Sequence, residues 1–133
     1  MKTRILVVDD EPSFTHLLKH SLETAGYYEV GEENHAGHAV TAARSFDPDL
    51  VLLDIMMPDL DGTEDAARLK ADHVLRDVPV IFLTALVTDD EAPEGFCKRG
   101  GHTFLPKNVR LEQLVECIEE HLTHGAPTSA GAR

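Results

Sequence analysis

Two short aliphatic runs, Ile5-Leu6-Val7-Val8 and Leu50-Val51-Leu52-Leu53, constrain this chain more than any other feature. Neither alternates apolar with polar residues, so neither suits a strand with one wet face. Continuous runs of this length fit strands buried on both sides, which belong to parallel sheets covered by helices. The intervening sequence supplies such a helix. Pro12 stands at an early helical position, and Phe14, Leu17, Leu18, Ser21, Leu22 and Ala25 follow at helical spacing until Gly26, where a left-handed residue ends the helix.

The same alternation continues along the chain. Residues 27–33 read as a second, less apolar strand, and Asn34 as the cap of a helix presenting Ala36, Ala39, Val40, Ala43 and Phe46, stopped by Pro48. The third strand ends at Asp54, ahead of a turn shaped by Pro58 and Gly62. A third helix spans 63–73, with Ala66, Ala67 and Leu69 as its packing residues. A fourth strand, 79–83, leads into Thr84. A fourth helix lies between 89 and 99, weakened by Pro93 and Gly95. A fifth strand at 102–105 and an amphipathic helix through Leu111, Leu114, Val115, Ile118 and Leu122 complete the pattern. Five strands alternating with five helices predict one α/β domain over residues 1–124, with an open, mostly parallel, doubly wound sheet and helices on both faces. The small, polar residues 125–133 read as a tail or linker.

Composition narrows the function classes. The formal charge is -12, from 24 acidic and 12 basic residues, a field that opposes nucleic-acid phosphates and anionic lipid. No direct nucleic-acid or membrane contact is expected, and no stretch approaches the roughly 20 apolar residues that cross a bilayer. Cys97 and Cys117 have no companion cysteines and match neither a zinc ribbon nor a disulfide framework. With no signal-peptide segment, the expected location is the cytoplasm. The histidines do not cluster in the sequence: His16 and His20 share a helix face, but no third ligand accompanies them.

Ligands of such sheets bind beyond the carboxyl ends of the strands. Asp9 and Asp10 follow the first strand, Asp54 the third, Thr84 the fourth and Lys107 the fifth, so the fold predicts that they converge. Two like charges about 4 Å apart repel by about 4 kcal/mol at an effective dielectric of 20. A divalent cation relieves that repulsion. Hard oxygen donors without histidine or cysteine favour Mg²⁺. No GxxxxGK[ST] loop is present, which argues against a nucleotide-binding P-loop.

The chain resembles a response-regulator receiver domain of two-component signalling. The resemblance rests on Ile5-Leu6-Val7-Val8-Asp9-Asp10-Glu11-Pro12, on Pro48-Asp49-Leu50-Val51-Leu52-Leu53-Asp54-Ile55-Met56-Met57-Pro58 and on Lys107, and extends from about Thr3 to Leu122. It implies a flavodoxin-like strand order 2-1-3-4-5. It makes Asp54 the phosphoryl acceptor, with Asp10, Asp54 and the Met56 carbonyl binding Mg²⁺ directly and Asp9 acting through a water. Lys107 and the Thr84 hydroxyl contact phosphoryl oxygens, and Thr84 and Phe104 form the switch. The implied donor is a histidine kinase or phosphotransfer protein. The implied output is binding of a downstream protein, or self-association, through the fourth helix, fifth strand and fifth helix.

The implied chemistry is self-phosphorylation and slow self-dephosphorylation rather than multiple turnover. Only residues 125–133 follow the last helix, so output is expected to pass to another molecule, or the domain belongs to a longer protein. The family carries proline after its lysine in a cis linkage. Asn108 stands there in this chain, and a trans Lys107–Asn108 peptide is expected because non-proline cis costs about 2.5–4 kcal/mol. Two other readings share the residues: a degenerate receiver acting as a constitutive interaction module, and a Mg²⁺-dependent phosphatase with an aspartyl nucleophile.

Overall fold

A computed structural model of the chain describes residues 3–26, 28–35, 37–54, 62–84, 97–99, 102–107 and 109–124. The aliphatic runs form the middle of the sheet. Strand β1 (Thr3–Val8) lies between β2 (Tyr28–Glu33) and β3 (Leu50–Asp54), and β4 (Val80–Thr84) and β6 (His102–Pro106) extend the sheet beyond β3. These five strands are parallel, in the expected order 2-1-3-4-5 when β6 is counted as the fifth. The described helices are α1 (Pro12–Ala25), α2 (Ala39–Phe46), α3 (Gly62–Ala71) and α4 (Leu111–His124).

One expected element is different. The last residues assigned to a fourth helix, Cys97–Arg99, form strand β5, antiparallel to β6 on its outer edge, with Arg99 opposite His102. The rest of that helix lies outside the described residues, as do Asn108 and residues 125–133. Strand β5 satisfies backbone groups of β6 that an open edge would expose. The two residues between Arg99 and His102 in the sequence are Gly100 and Gly101, a pair that short antiparallel connections favour.

Side chains of each buried strand divide between two cores. Ile5, Val7, Leu50, Leu52, Ile81 and Leu83 face one way, packing with Leu22 of α1 and Leu114, Cys117 and Ile118 of α4. Leu6, Val8, Val51, Leu53 and Phe82 face the other, against Ala39 and Ala43 of α2, Leu69 of α3 and Leu75. This two-sided burial is why the strands read as unbroken aliphatic runs. The helical patterns differ in detail. Ala67 is exposed, Leu17 is 61 % exposed, and Leu75, beyond the end of α3, supplies packing in its place.

Helix ends follow local rules. Pro12 opens α1, and Gly26 closes it at φ 129°, with its N–H donating to the Glu23 carbonyl at 3.2 Å. Asp47 ends α2 in a left-handed conformation, φ 57°. Asn34 does not cap α2, which starts at Ala39. Its side-chain amide donates instead to the Asp9 carbonyl at 2.7 Å and to Thr15 Oγ1 at 3.0 Å, tying the end of β2 to the β1–α1 connection. At the opposite end of β2, the buried Tyr28 donates its hydroxyl proton to Glu119 of α4 at 2.5 Å. Burial first, and the Glu119 carboxylate second, hold the phenol above its ordinary pKa.

Phe46 closes the lower corner of the second core. The Arg4 guanidinium lies 4.4 Å from the centre of its ring and donates to the Phe46 carbonyl at 2.9 Å. The ring also presses on Gly31, where an added Cβ would stand 3.1 Å from two ring carbons. A branched side chain there must displace the ring. Gly31→Val is expected to lower unfolding free energy by about 1–3 kcal/mol, and Phe46→Leu in the same chain to recover part of the loss. Denaturant unfolding of the single and double variants checks both effects.

Candidate functional site

The parallel register sets the strand ends in a row. Val8 is opposite Leu53, Asp54 opposite Leu83, and Thr84 opposite Pro106. Asp9 therefore leaves β1 beside the end of β3, Asp54 is the last residue of β3, Thr84 the last of β4, and Lys107 the first after β6. The Asp9 N–H continues the ladder by donating to the Glu33 carbonyl at 3.0 Å, while Asn34 holds the Asp9 carbonyl.

Carboxylate oxygens of Asp9, Asp10 and Asp54 lie within 4.8 Å of one another. Asp9 and Asp54 are buried and Asp10 is half-buried. The Lys107 ammonium reaches into the group from β6, 2.7 Å from Asp9 Oδ2, 3.3 Å from Asp54 Oδ2 and 3.2 Å from Glu11 Oε1. Its Nζ also stands 5.0 Å from the centre of the Phe14 ring. The second Asp9 oxygen, Oδ1, accepts the Glu11 N–H at 2.9 Å.

Burial pushes the Asp9 carboxyl up from 3.8 to about 6, and the Asp54 charge acts in the same direction. Hydrogen bonds from Lys107 and the Glu11 N–H oppose the rise without cancelling it. For Lys107, burial works to lower the pKa, but contacts with Asp9, Glu11 and Asp54 together outweigh it and hold the ammonium above its ordinary value. The pocket thus concentrates negative charge that one cation offsets only in part. Its donors are hard oxygens converging from two strand ends, and they fit a small divalent cation. A carboxylate in such a setting can also act as a nucleophile toward phosphorus, with an ammonium to stabilise the transferring oxygens.

The structure brings together Asp9, Asp10, Asp54 and Lys107 as the strand pattern predicted. It places the Thr84 backbone at the same edge. Phe104 lies in β6, half-buried, its ring stacked on Phe82 with centroids 5.2 Å apart. Met56 and the Lys107–Asn108 peptide fall outside the described residues. Two contributors were not apparent in the sequence. Glu11 contacts Lys107 and orients Asp9, and Asn34, whose side chain suits a helix cap equally well, holds the Asp9 carbonyl. Nor are the histidines all dispersed: Glu33, His35 and His38 form a second group of metal-ligating side chains, foreshadowed only by an E-x-H-x-x-H spacing. Among the described residues no helix is long and apolar enough to cross a membrane.

Comparison with known proteins agrees with this geometry. The family profile of the response regulator receiver domain matches residues 5–119. The phosphate regulon transcriptional regulatory protein PhoB of Pseudomonas aeruginosa is 36% identical over 129 residues, covering 96% of this chain and 55% of PhoB. Protein PilH of the same organism is 38% identical over 116 residues, covering 86% of this chain and 93% of PilH. This chain spans about half the length of the first curated relatives it matches, PhoB among them. The structure of chemotaxis protein CheY4 of Vibrio cholerae superposes with a TM-score of 0.75 at 26% identity, covering 90% of this chain and 98% of that one.

The raised Asp9 pKa has a defined consequence for stability. The folded state favours the protonated acid, so the electrostatic penalty is absent below about pH 3.8 and complete above about pH 6. In chelator-treated protein, Asp9→Asn is expected to raise unfolding free energy by on the order of 1–3 kcal/mol at pH 7.5. The gain should shrink steadily toward pH 4. Denaturant unfolding across that range measures it, and a gain independent of pH would contradict the electrostatic origin.

Proposed function

The chain belongs to the response regulator receiver domain family, and on that premise we propose that Asp54 accepts a phosphoryl group from the phosphohistidine of a histidine kinase or phosphotransfer protein. The observation that carries this reading is the placement of Asp54, in the same pocket as Asp9 and Asp10 and 3.3 Å from the Lys107 ammonium. A carboxylate oxygen of Asp54 attacks phosphorus; the O–P bond forms as the P–N bond breaks, and the donor imidazole leaves with the bonding pair and is protonated by solvent. The product is an aspartyl phosphate.

Each neighbouring residue has a distinct task. Asp10, Asp54 and the Met56 carbonyl would hold Mg²⁺, with Asp9 beside them, and the bound ion supplies positive charge to the transferring oxygens. Lys107 spans Asp9 and Asp54 from a third strand, so its ammonium is placed to exchange a carboxylate contact for a phosphoryl oxygen. Glu11 limits its wandering. Thr84, at the end of the adjacent strand, would present its hydroxyl to the phosphoryl group. Slow hydrolysis of the acyl phosphate resets the domain, which therefore acts once per signal.

The same reading assigns the output. New oxygen acceptors and added charge at Asp54 draw Thr84 inward and bias Phe104, already stacked on Phe82, toward a more buried position. Strand β6 and helix α4 carry that change to the surface, where a downstream protein or a second copy of the chain binds the phosphorylated form more tightly. The reading places the receiver domain at residues 1–124, in the cytoplasm, where its donor has access to ATP.

Incubation with acetyl phosphate and Mg²⁺ is expected to add one phosphoryl group per chain by intact mass. Asp54→Ala abolishes the addition; unchanged labelling in that variant would refute the assignment. Asp10→Ala is expected to weaken Mg²⁺ binding at least about tenfold, about 1.4 kcal/mol, in a calorimetric titration. Equal affinity in the variant would remove Asp10 from the cation site.

A further inference from the structure

Apart from the acid pocket, one group of metal-ligating side chains converges among the described residues, and it has a different chemistry. Glu33 ends β2, and His35 and His38 stand in the turn before α2. Ligand atoms of the three lie within 4.8 Å of one another. Glu33 Oε2 is 3.3 Å from His35 Nδ1 and 3.8 Å from His38 Nδ1. The imidazole centroids are 5.4 Å apart, with ring planes inclined at 34°. Ligands at about 2.0–2.2 Å from a tetrahedral zinc ion stand about 3.3–3.6 Å from one another, so the carboxylate and both rings need only small rotations to share one ion.

The backbone prearranges this convergence. Gly37 adopts φ 88°, a conformation that side chains disfavour, and the His38 N–H donates to the His35 carbonyl at 3.2 Å, folding the turn so that both imidazoles approach Glu33. Glu33 is held at both ends. Its carbonyl accepts the Asp9 N–H, and its Oε2 accepts the His35 N–H at 3.0 Å. The Glu33 side chain is 19 % exposed, whereas those of His35 and His38 are 75 % and 62 % exposed. One anchored oxygen thus faces two nitrogens that can turn toward an ion from solvent.

We propose that Glu33, His35 and His38 form a second metal site, one that takes a divalent d-block cation such as Zn²⁺, with water completing the coordination. Two imidazoles and one carboxylate are a donor set suited to Zn²⁺ and its neighbours and poorly suited to Mg²⁺, whereas the all-oxygen pocket of Asp9, Asp10 and Asp54 has the opposite preference. The two sites therefore sort cations by ligand type. They are also mechanically joined, since Glu33 and Asn34 both hydrogen-bond the backbone of Asp9. The proposal does not depend on phosphoryl chemistry at Asp54.

The test is a Zn²⁺ titration of tag-free protein in saturating Mg²⁺, by competition with a chromophoric chelator. One Zn²⁺ should bind per chain with a dissociation constant in the micromolar range or below. His35→Ala and His38→Ala should each weaken it at least tenfold, while Asp10→Ala leaves it intact and acetyl phosphate labelling of both histidine variants is unchanged. Thermal unfolding confirms that the variants are folded. Absence of Zn²⁺ binding below millimolar concentration, or the same affinity after replacing both histidines, would overturn the site. Loss of the Zn²⁺ site in Asp10→Ala, with retention in the histidine variants, would assign the binding to the acid pocket and equally refute the proposal.

Discussion

A single ammonium shared by buried carboxylates from two other strands is the interaction around which this domain is organised. Lys107 arrives from β6, Asp9 from β1 and Asp54 from β3, so the contact joins three strands through side chains at their carboxyl ends. Buried charges are tolerated only with partners, and one cation among three carboxylates leaves an excess of negative charge. The rest of the pocket follows from that imbalance. The Asp9 carboxyl is pushed upward, the Lys107 ammonium is held above its ordinary pKa, and a cluster of oxygen donors suited to a further cation is left at the edge of the sheet.

The fold bears the cost of this arrangement through its core. Strands β1 and β3 are almost wholly buried, with aliphatic side chains packed on both faces, and this rigid base fixes the carboxylates that follow. Backbone hydrogen bonds refine their placement: Asp9 is gripped by Glu33, Asn34 and the Glu11 N–H. The carboxylates and the ammonium are thereby held in place by the fold itself, and such preorganisation is the condition under which electrostatic stabilisation is most effective.

Much of this was legible because each aliphatic strand changes abruptly into acid. Val8-Asp9 and Leu53-Asp54 mark both the strand end and a carboxylate of the strand-end cluster, and strand periodicity needs no knowledge of distant partners. What escaped depends on contacts far apart in sequence. Cys97–Arg99 is too short for any periodicity, and its strand conformation follows from pairing with β6. Asn34 has the chemistry of a helix cap as well as that of a crosslink, and only the proximity of Asp9 and Thr15 decides between them. His35 and His38 meet Glu33 because the turn at Gly37 folds them back, a geometry that spacing alone does not dictate.

The central claim is that excess charge at the strand ends makes Asp54 a cation-dependent phosphoryl acceptor. Borohydride reduction of the acetyl phosphate-treated protein tests it most directly, because it converts an aspartyl phosphate to homoserine and fixes the modified position for peptide sequencing by mass spectrometry. The account predicts homoserine at position 54, formed with Mg²⁺ present and lost when the ion is chelated. Homoserine at another aspartate, or equal yield at position 54 without a divalent cation, would contradict it.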